Sequence, residues 1–224
     1  IQGWSLDREP DLVVQMSTSP FEVPAEGTVE YQYFVAETIF KEDKWVRAAE
    51  VVPGNREVVH HAIVFVRPPG GERQDGIGWL TAFVPGQTLT ALPEGTARKI
   101  PRGSKLVFQM HYTPVGRVTQ DLTKVGLVFA DEESIHTELQ TKLAINRDFE
   151  IPPGDDDFRV QMTANRFAPG SKLWAIAPHM HYRGKSFRVA VESPAGREII
   201  LDVPNYDFNW QHAYVLQQPL ALDD

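Results

Sequence analysis

The sequence predicts an all-β protein, a sandwich or a barrel, on three observations. Seventeen prolines and sixteen glycines interrupt the chain at short intervals. Between them lie short runs of β-branched and aromatic residues, which fit a pleated surface. No stretch carries a long amphipathic helical period. In chain order the candidate strands are 28–35 (TVEYQYFV), 62–66 (AIVFV), 105–112 (KLVFQMHY), 124–129 (KVGLVF), 173–177 (LWAIA), 187–191 (FRVAV) and 198–203 (EIILDV). Each is of strand length and is bounded by turn-forming residues. The best helix candidate is 42–51 (EDKWVRAAEV), and it is short.

The chain also repeats itself. Phe21-Glu22-Val23-Pro24-Ala25-Glu26-Gly27 is echoed by Phe149-Glu150-Ile151-Pro152-Pro153-Gly154. Pro101-Arg102-Gly103-Ser104-Lys105-Leu106 leads to Met110-His111-Tyr112, and Pro169-Gly170-Ser171-Lys172-Leu173 leads to Met180-His181-Tyr182. These echoes predict two related β domains, 1–146 and 147–224, joined near Asn146. The second is short against the ~100 residues of a sandwich domain, so the expectation is a second domain cut short in this chain.

Composition narrows the function classes. At 224 residues the chain is long enough for one large or two modest domains. Its 42% hydrophobic and 23% charged residues are those of a globular protein. A formal net charge of -8 argues against nucleic acid or an anionic membrane as the main partner, since both call for a basic face. No apolar run approaches the ~20 residues of a membrane span. No charged-then-apolar opening resembles a signal peptide, so an export signal is expected to have been removed or never to have existed. The absence of cysteine excludes disulfides and thiolate metal sites, and it fits a redox metal that avoids oxidisable thiols.

Five of the seven histidines fall in three clusters: His60-His61, His111 and His179-Met180-His181. Imidazole is the commonest protein ligand for copper, zinc and iron, and packing alone gives no reason for histidines to recur in doublets. On a strand, His179 and His181 project from one face about 6.5–7 Å apart and can converge on one metal, with Met180 on the other face. Pro178 places that pair at a strand start or a sheet edge. His60 and His61 are adjacent, so on a regular strand they point to opposite faces. Both reach one metal only at a strand end, at a bulge or through different ring nitrogens; otherwise one is buried and one exposed. His111 shares a strand face with Gln109, opposite Phe108 and Met110. It is a third imidazole for His60 and His61, with Gln109 orienting a ligand or bound water, or else a hydrogen-bonded core residue. His136 reads as a surface residue and His212 as a packed one.

These motifs resemble the copper type II, ascorbate-dependent monooxygenases, the family of peptidylglycine α-hydroxylating monooxygenase and dopamine β-monooxygenase. The residues are Val59-His60-His61-Ala62, Gln109-Met110-His111-Tyr112, and His179-Met180-His181 followed by Gly184-Lys185, in the family's order. The lead-in Pro53-Gly54-Asn55-Arg56, the stretch Pro178-His179-Met180-His181-Tyr182-Arg183-Gly184-Lys185 and Tyr206-Asp207-Phe208-Asn209-Trp210 look closest to bacterial members. The resemblance implies two jelly-roll-like domains, each holding one copper. His60, His61 and His111 would bind an electron-carrying copper. His179, His181 and a methionine would bind an oxygen-activating one, with His179 and His181 the catalytic ligands. The implied reaction is hydroxylation of an aliphatic C–H bond with dioxygen and ascorbate or another one-electron donor. The implied substrate is a small or peptide-like molecule, and the implied location is extracytoplasmic, periplasmic or secreted.

The chain departs from the family in three ways. The family's methionine ligand comes late in the second domain, and neither Met162 nor Met180 matches its position. The disulfides of animal members have no counterpart. Ala177 stands where peptide-hydroxylating members carry a carboxylate-binding arginine, which argues against a substrate with a free C-terminus. The alternative is a non-catalytic copper-binding module. A cupin-type oxygenase built on His179 and His181 would need a carboxylate where Gly184 and Lys185 stand.

Overall fold

A computed structural model describes residues 3–36, 40–70, 78–84, 92–164, 167–194, 196–208 and 212–222. It is all-β: the described residues form fifteen strands and one 3-10 turn, Glu132–Ser134, with no closed barrel among their sheets. The chain divides into two compact units, Ile1–Thr141 and Lys142–Asp224.

Unit 1 is a β-sandwich. One layer contains β1 (Leu12–Gln15), β10 (Lys124–Phe129), β4 (Lys44–Val52), β7 (Thr96–Ile100) and β11 (Thr137–Glu138), in that order across the sheet. The other contains β3 (Gln32–Val35), β8 (Lys105–Tyr112), β5 (Val59–Arg67) and β6 (Gly78–Phe83). β2 (Phe21–Val23) pairs with β9 (Thr119–Asp121) beside them. All pairings are antiparallel except β11 with β7.

The period-2 pattern of the sequence sets which side chains face inward. Leu106, Phe108, Met110 and Tyr112 of β8, and Ala62, Val64 and Val66 of β5, meet Val46, Ala49, Val51, Val125 and Leu127 in one buried cluster. The short helix candidate at 42–51 is strand β4. Ala48, Ala49 and Glu50 favour a helix locally, but the segment is laddered between β10 and β7, and Val46, Ala49 and Val51 are buried in the core.

A buried polar knot ties off one end of this sandwich. The Asp121 carboxylate is 1% exposed. One oxygen accepts the Tyr112 hydroxyl at 2.9 Å and the Thr123 hydroxyl at 2.8 Å. The other accepts the Asn55 backbone N–H at 2.9 Å. Burial, then the adjacent carboxylate, pushes the Tyr112 phenol far above its ordinary range, so it stays a donor. Gly54, next to Asn55, lies so close to Leu122 that a Cβ would sit 2.6 Å from the Leu122 nitrogen. The Pro-Gly-Asn lead-in is therefore a close backbone contact that only glycine permits.

Unit 2 is organised differently. β12 (Lys172–Ile176) pairs with β15 (Tyr214–Ala221), and β13 (Phe187–Ser193) forms a hairpin with β14 (Gly196–Val203). The buried hydrophobic residues among those described run from Leu6 to Val128, all in unit 1. In unit 2, Leu143, Ile145, Phe149, Phe158, Val160 and Met162 are exposed.

The internal echoes share local geometry. Gly103 and Gly170 have φ of 77° and 74°, and the serine after each donates its N–H to the carbonyl three residues back, at 3.1 Å and 3.0 Å. β8 and β12 both begin on the following lysine. The packing differs. Phe21 stacks on Tyr112 at 5.0 Å, whereas its echo Phe149 is 47% exposed.

Candidate metal centre

His60, His61 and His111 come together on the outer face of the four-stranded sheet. β5 and β8 are antiparallel, and His61 sits directly across from His111. The ladder shifts register between Val59 and His61, so His60 is the extra residue of a β-bulge. That resolves the adjacency problem. The bulge lets both neighbours face outward, while Val59 and Ala62 on either side keep their places in the core. The Thr113 N–H donates to Val58 O at 2.8 Å beyond the bulge, so the distortion is held from both sides.

The ring centroids are 5.5 Å apart for His60 and His61, 5.1 Å for His60 and His111, and 4.9 Å for His61 and His111. One nitrogen from each ring lies within 4.8 Å of the others. A tetrahedral metal about 2.0–2.1 Å from each nitrogen spaces its ligands roughly 3.3–3.4 Å apart. The His60 and His61 Nδ1 atoms are 3.3 Å apart, so this pair already has a metal-binding spacing, with a His111 nitrogen within 4.8 Å. His61 is buried, and His60 and His111 are half-buried. Burial pushes the His60 imidazole below its ordinary range, towards the neutral form a metal requires. An all-imidazole set of three suits copper or zinc.

Gln109 lies on the same outward face as His111 and donates its amide N–H to the Tyr33 hydroxyl at 2.7 Å. One contributor was not apparent in the sequence. The Tyr31 ring lies 5.0 Å from His111 and 5.6 Å from His61. Burial, and then Tyr33 beside it, pushes its phenol up, so it stays neutral. The signal was the alternation Tyr31-Gln32-Tyr33 leading into β3, the strand next to β8, with Tyr31 immediately before its first residue.

The His179–His181 pair differs from its expected setting. Residues 178–181 form no ladder, and a turn follows, closed by the Gly184 N–H donating to His181 O at 2.8 Å. Pro178 has no N–H to give a ladder, and the Met180 N–H is taken by the Tyr206 hydroxyl at 2.9 Å. The two rings nevertheless lie close together, edge to face, with centroids 5.1 Å apart and planes at 86°. Both side chains are exposed. Among the described residues, His60, His61 and His111 form the only group of three or more His, Cys, Asp or Glu able to hold one ion.

His136 is exposed in the loop before β11, and His212 is half-buried just before β15. Of the Tyr206–Trp210 motif, Asn209 and Trp210 lie outside the described residues. Among the described residues no helix is long and apolar enough to cross a membrane. No protein-family model matches the chain, and no curated protein matches it.

Proposed function

We propose that the protein is a copper-dependent monooxygenase that hydroxylates an aliphatic C–H bond, using dioxygen and an ascorbate-like one-electron donor. The observation that carries this reading is the convergence of His60, His61 and His111 around a single point on a bulged strand pair. The adjacent rings of His179 and His181, edge to face at 5.1 Å, supply a second imidazole pair in the order seen in the copper type II family. Bound copper supplies one-electron transfer and oxygen activation. Two electrons and two protons are consumed per turnover, with one oxygen atom entering the alcohol and the other leaving as water.

The chain's own residues divide the work. His60, His61 and His111 hold the electron-transferring site. Burial lowers the His60 pKa and so favours its neutral form, and the Tyr31 ring covers His61 and His111 on one side. The Gln109–Tyr33 hydrogen bond fixes the polar end of the same sheet face. His179 and His181 are exposed, leaving room for dioxygen and a small or peptide-like substrate. The reading places the protein outside the cytoplasm, periplasmic or secreted, with no nucleic-acid partner.

The test is copper titration with oxygen uptake. We expect saturation at two coppers per chain, type II spectra, and substrate-dependent oxygen consumption with ascorbate. Tight binding of zinc alone, without oxygen consumption under copper and ascorbate, would remove the proposal. A non-catalytic copper-binding module is the second reading. It is favoured by the two-imidazole second site, and two bound coppers with no substrate-dependent oxygen uptake would select it.

A further inference from the structure

We propose that Tyr206 is a positioning residue for the second metal site, acting through the backbone that carries His179 and His181. This rests on the reading of those histidines as copper ligands. The Tyr206 hydroxyl accepts the Met180 N–H at 2.9 Å and donates to the Met180 carbonyl, also at 2.9 Å. The N–H belongs to the peptide joining His179 to Met180, and the carbonyl to the peptide joining Met180 to His181. One phenol thus fixes both peptide planes between the two ligands, using its donor and its acceptor capacity.

Three further contacts make this a clamp. The Tyr206 N–H donates to Lys185 O at 2.9 Å, and the Gly184 N–H donates to His181 O at 2.8 Å, so the loop is closed on both sides of the phenol. A Cβ on Gly184 would lie 2.7 Å from Met180 Cβ and 2.9 Å from Tyr206 Cδ1, so the glycine lets the ring and the loop close together. The clamp is needed because this segment has no ladder to orient it. The first site inherits its rigidity from β5 and β8. The second has a hydroxyl in their place, and the exposed imidazoles gain a fixed separation without being buried. Pre-organising two ligands lowers the ordering cost of metal binding.

The experiment uses the full chain, with the His111→Ala background isolating the second site. Tyr206→Phe keeps the ring and removes both hydrogen bonds. With both hydrogen bonds lost, second-site copper affinity falls roughly tenfold and its EPR hyperfine pattern changes. Gly184→Ala, which forces the loop off the ring, weakens the same site. Without the background change, copper at His60, His61 and His111 is unaffected in either variant, which controls for folding. Amide hydrogen exchange gives a readout free of metal: the Met180 N–H is protected in the wild type and exchanges like an open loop in Tyr206→Phe. An unprotected Met180 amide in the wild type would overturn the clamp whether or not any variant folds. So would a Tyr206→Phe protein with unchanged second-site affinity and spectrum. A wild type that saturates at one copper would instead overturn the two-site reading, and the clamp's role with it.

Discussion

In unit 1, His60, His61 and His111 stand on two strands hydrogen-bonded along their length over a packed core. In unit 2, His179 and His181 stand on a loop outside any strand ladder, its Met180 backbone held by the Tyr206 hydroxyl. The same side-chain type, imidazole, is therefore positioned by two different physical means. A sheet fixes ring positions through many cooperative contacts, so one lost contact is absorbed. A loop fixes them through a few hydrogen bonds, so each one matters. Mutations should then separate the regions: core and knot changes cost stability in unit 1, whereas in unit 2 single polar groups govern ligand geometry.

The largest effect is expected at the knot and core of unit 1. Asp121→Ala leaves the Tyr112 and Thr123 hydroxyls and the Asn55 N–H without their shared acceptor, at roughly 3–5 kcal/mol. Phe108→Ala should cost a similar amount, about 3–5 kcal/mol, by opening a cavity. Urea unfolding checks both, and copper affinity at the His60 site should fall with stability. If either variant unfolds like the wild type, the unit 1 core is not what holds that site.

Next is His111→Ala. Copper stoichiometry should fall from two to one, with first-site affinity reduced beyond the roughly 10–100-fold an outer-shell partner is worth. Isothermal titration reads this directly. Gly54→Ala sharpens the comparison by acting at a distance. Its Cβ meets the Leu122 backbone, and overpacking costs about 1–3 kcal/mol. Thermal unfolding should show that loss while the second copper site is unchanged.

The smallest effects complete the contrast. Val215→Ala, at a 45% exposed position in unit 2, should change stability by less than about 0.5 kcal/mol. The pH dependence at His60 is also small. Its folded pKa lies below the unfolded value, so the unfolded state binds more protons between the two. Apo stability should therefore fall as pH drops below about 6.5, and the loss should be complete once the pH passes the folded value. A stability–pH curve of His60→Ala against wild type measures that difference. Copper at this site should persist through the ordinary imidazole range before protons displace it.

Much of the sandwich was legible in the sequence. The runs 105–112 and 124–129 coincide with β8 and β10, because sharp turn signals bound apolar stretches of strand length. The runs in unit 2 fall within about two residues of β12, β13 and β14. Strands such as β7 (TARKI) and β15 (YVLQQPLA) carry too many polar residues to declare themselves. β4 was misread because its local helix formers are overruled by neighbours distant in sequence. The 28–35 run shortens to β3, whose ladder with β8 begins at Gln32.

At the candidate site, the histidine spacing was legible and its means were not. A bulge at His60 was one of the options adjacency left open, but which option holds depends on a register set by both strands. The strand expected at 179–181 is a loop because the Tyr206 hydroxyl, 26 residues away, takes the Met180 N–H and C=O that a ladder would use. Tyr31 reaches the imidazoles only because β3 pairs with β8.

The bulge makes one residue of chain length chemically decisive. A protein shortened by position 60 alone would run as an ordinary ladder, with Val59 and Ala62 still inside and the pairing of positions 61 and 111 intact. It would fold much as before, yet be left with a dyad where there had been a triad. Metal affinity here can therefore be gained or lost through a single-codon deletion or insertion, independently of the architecture that supports it.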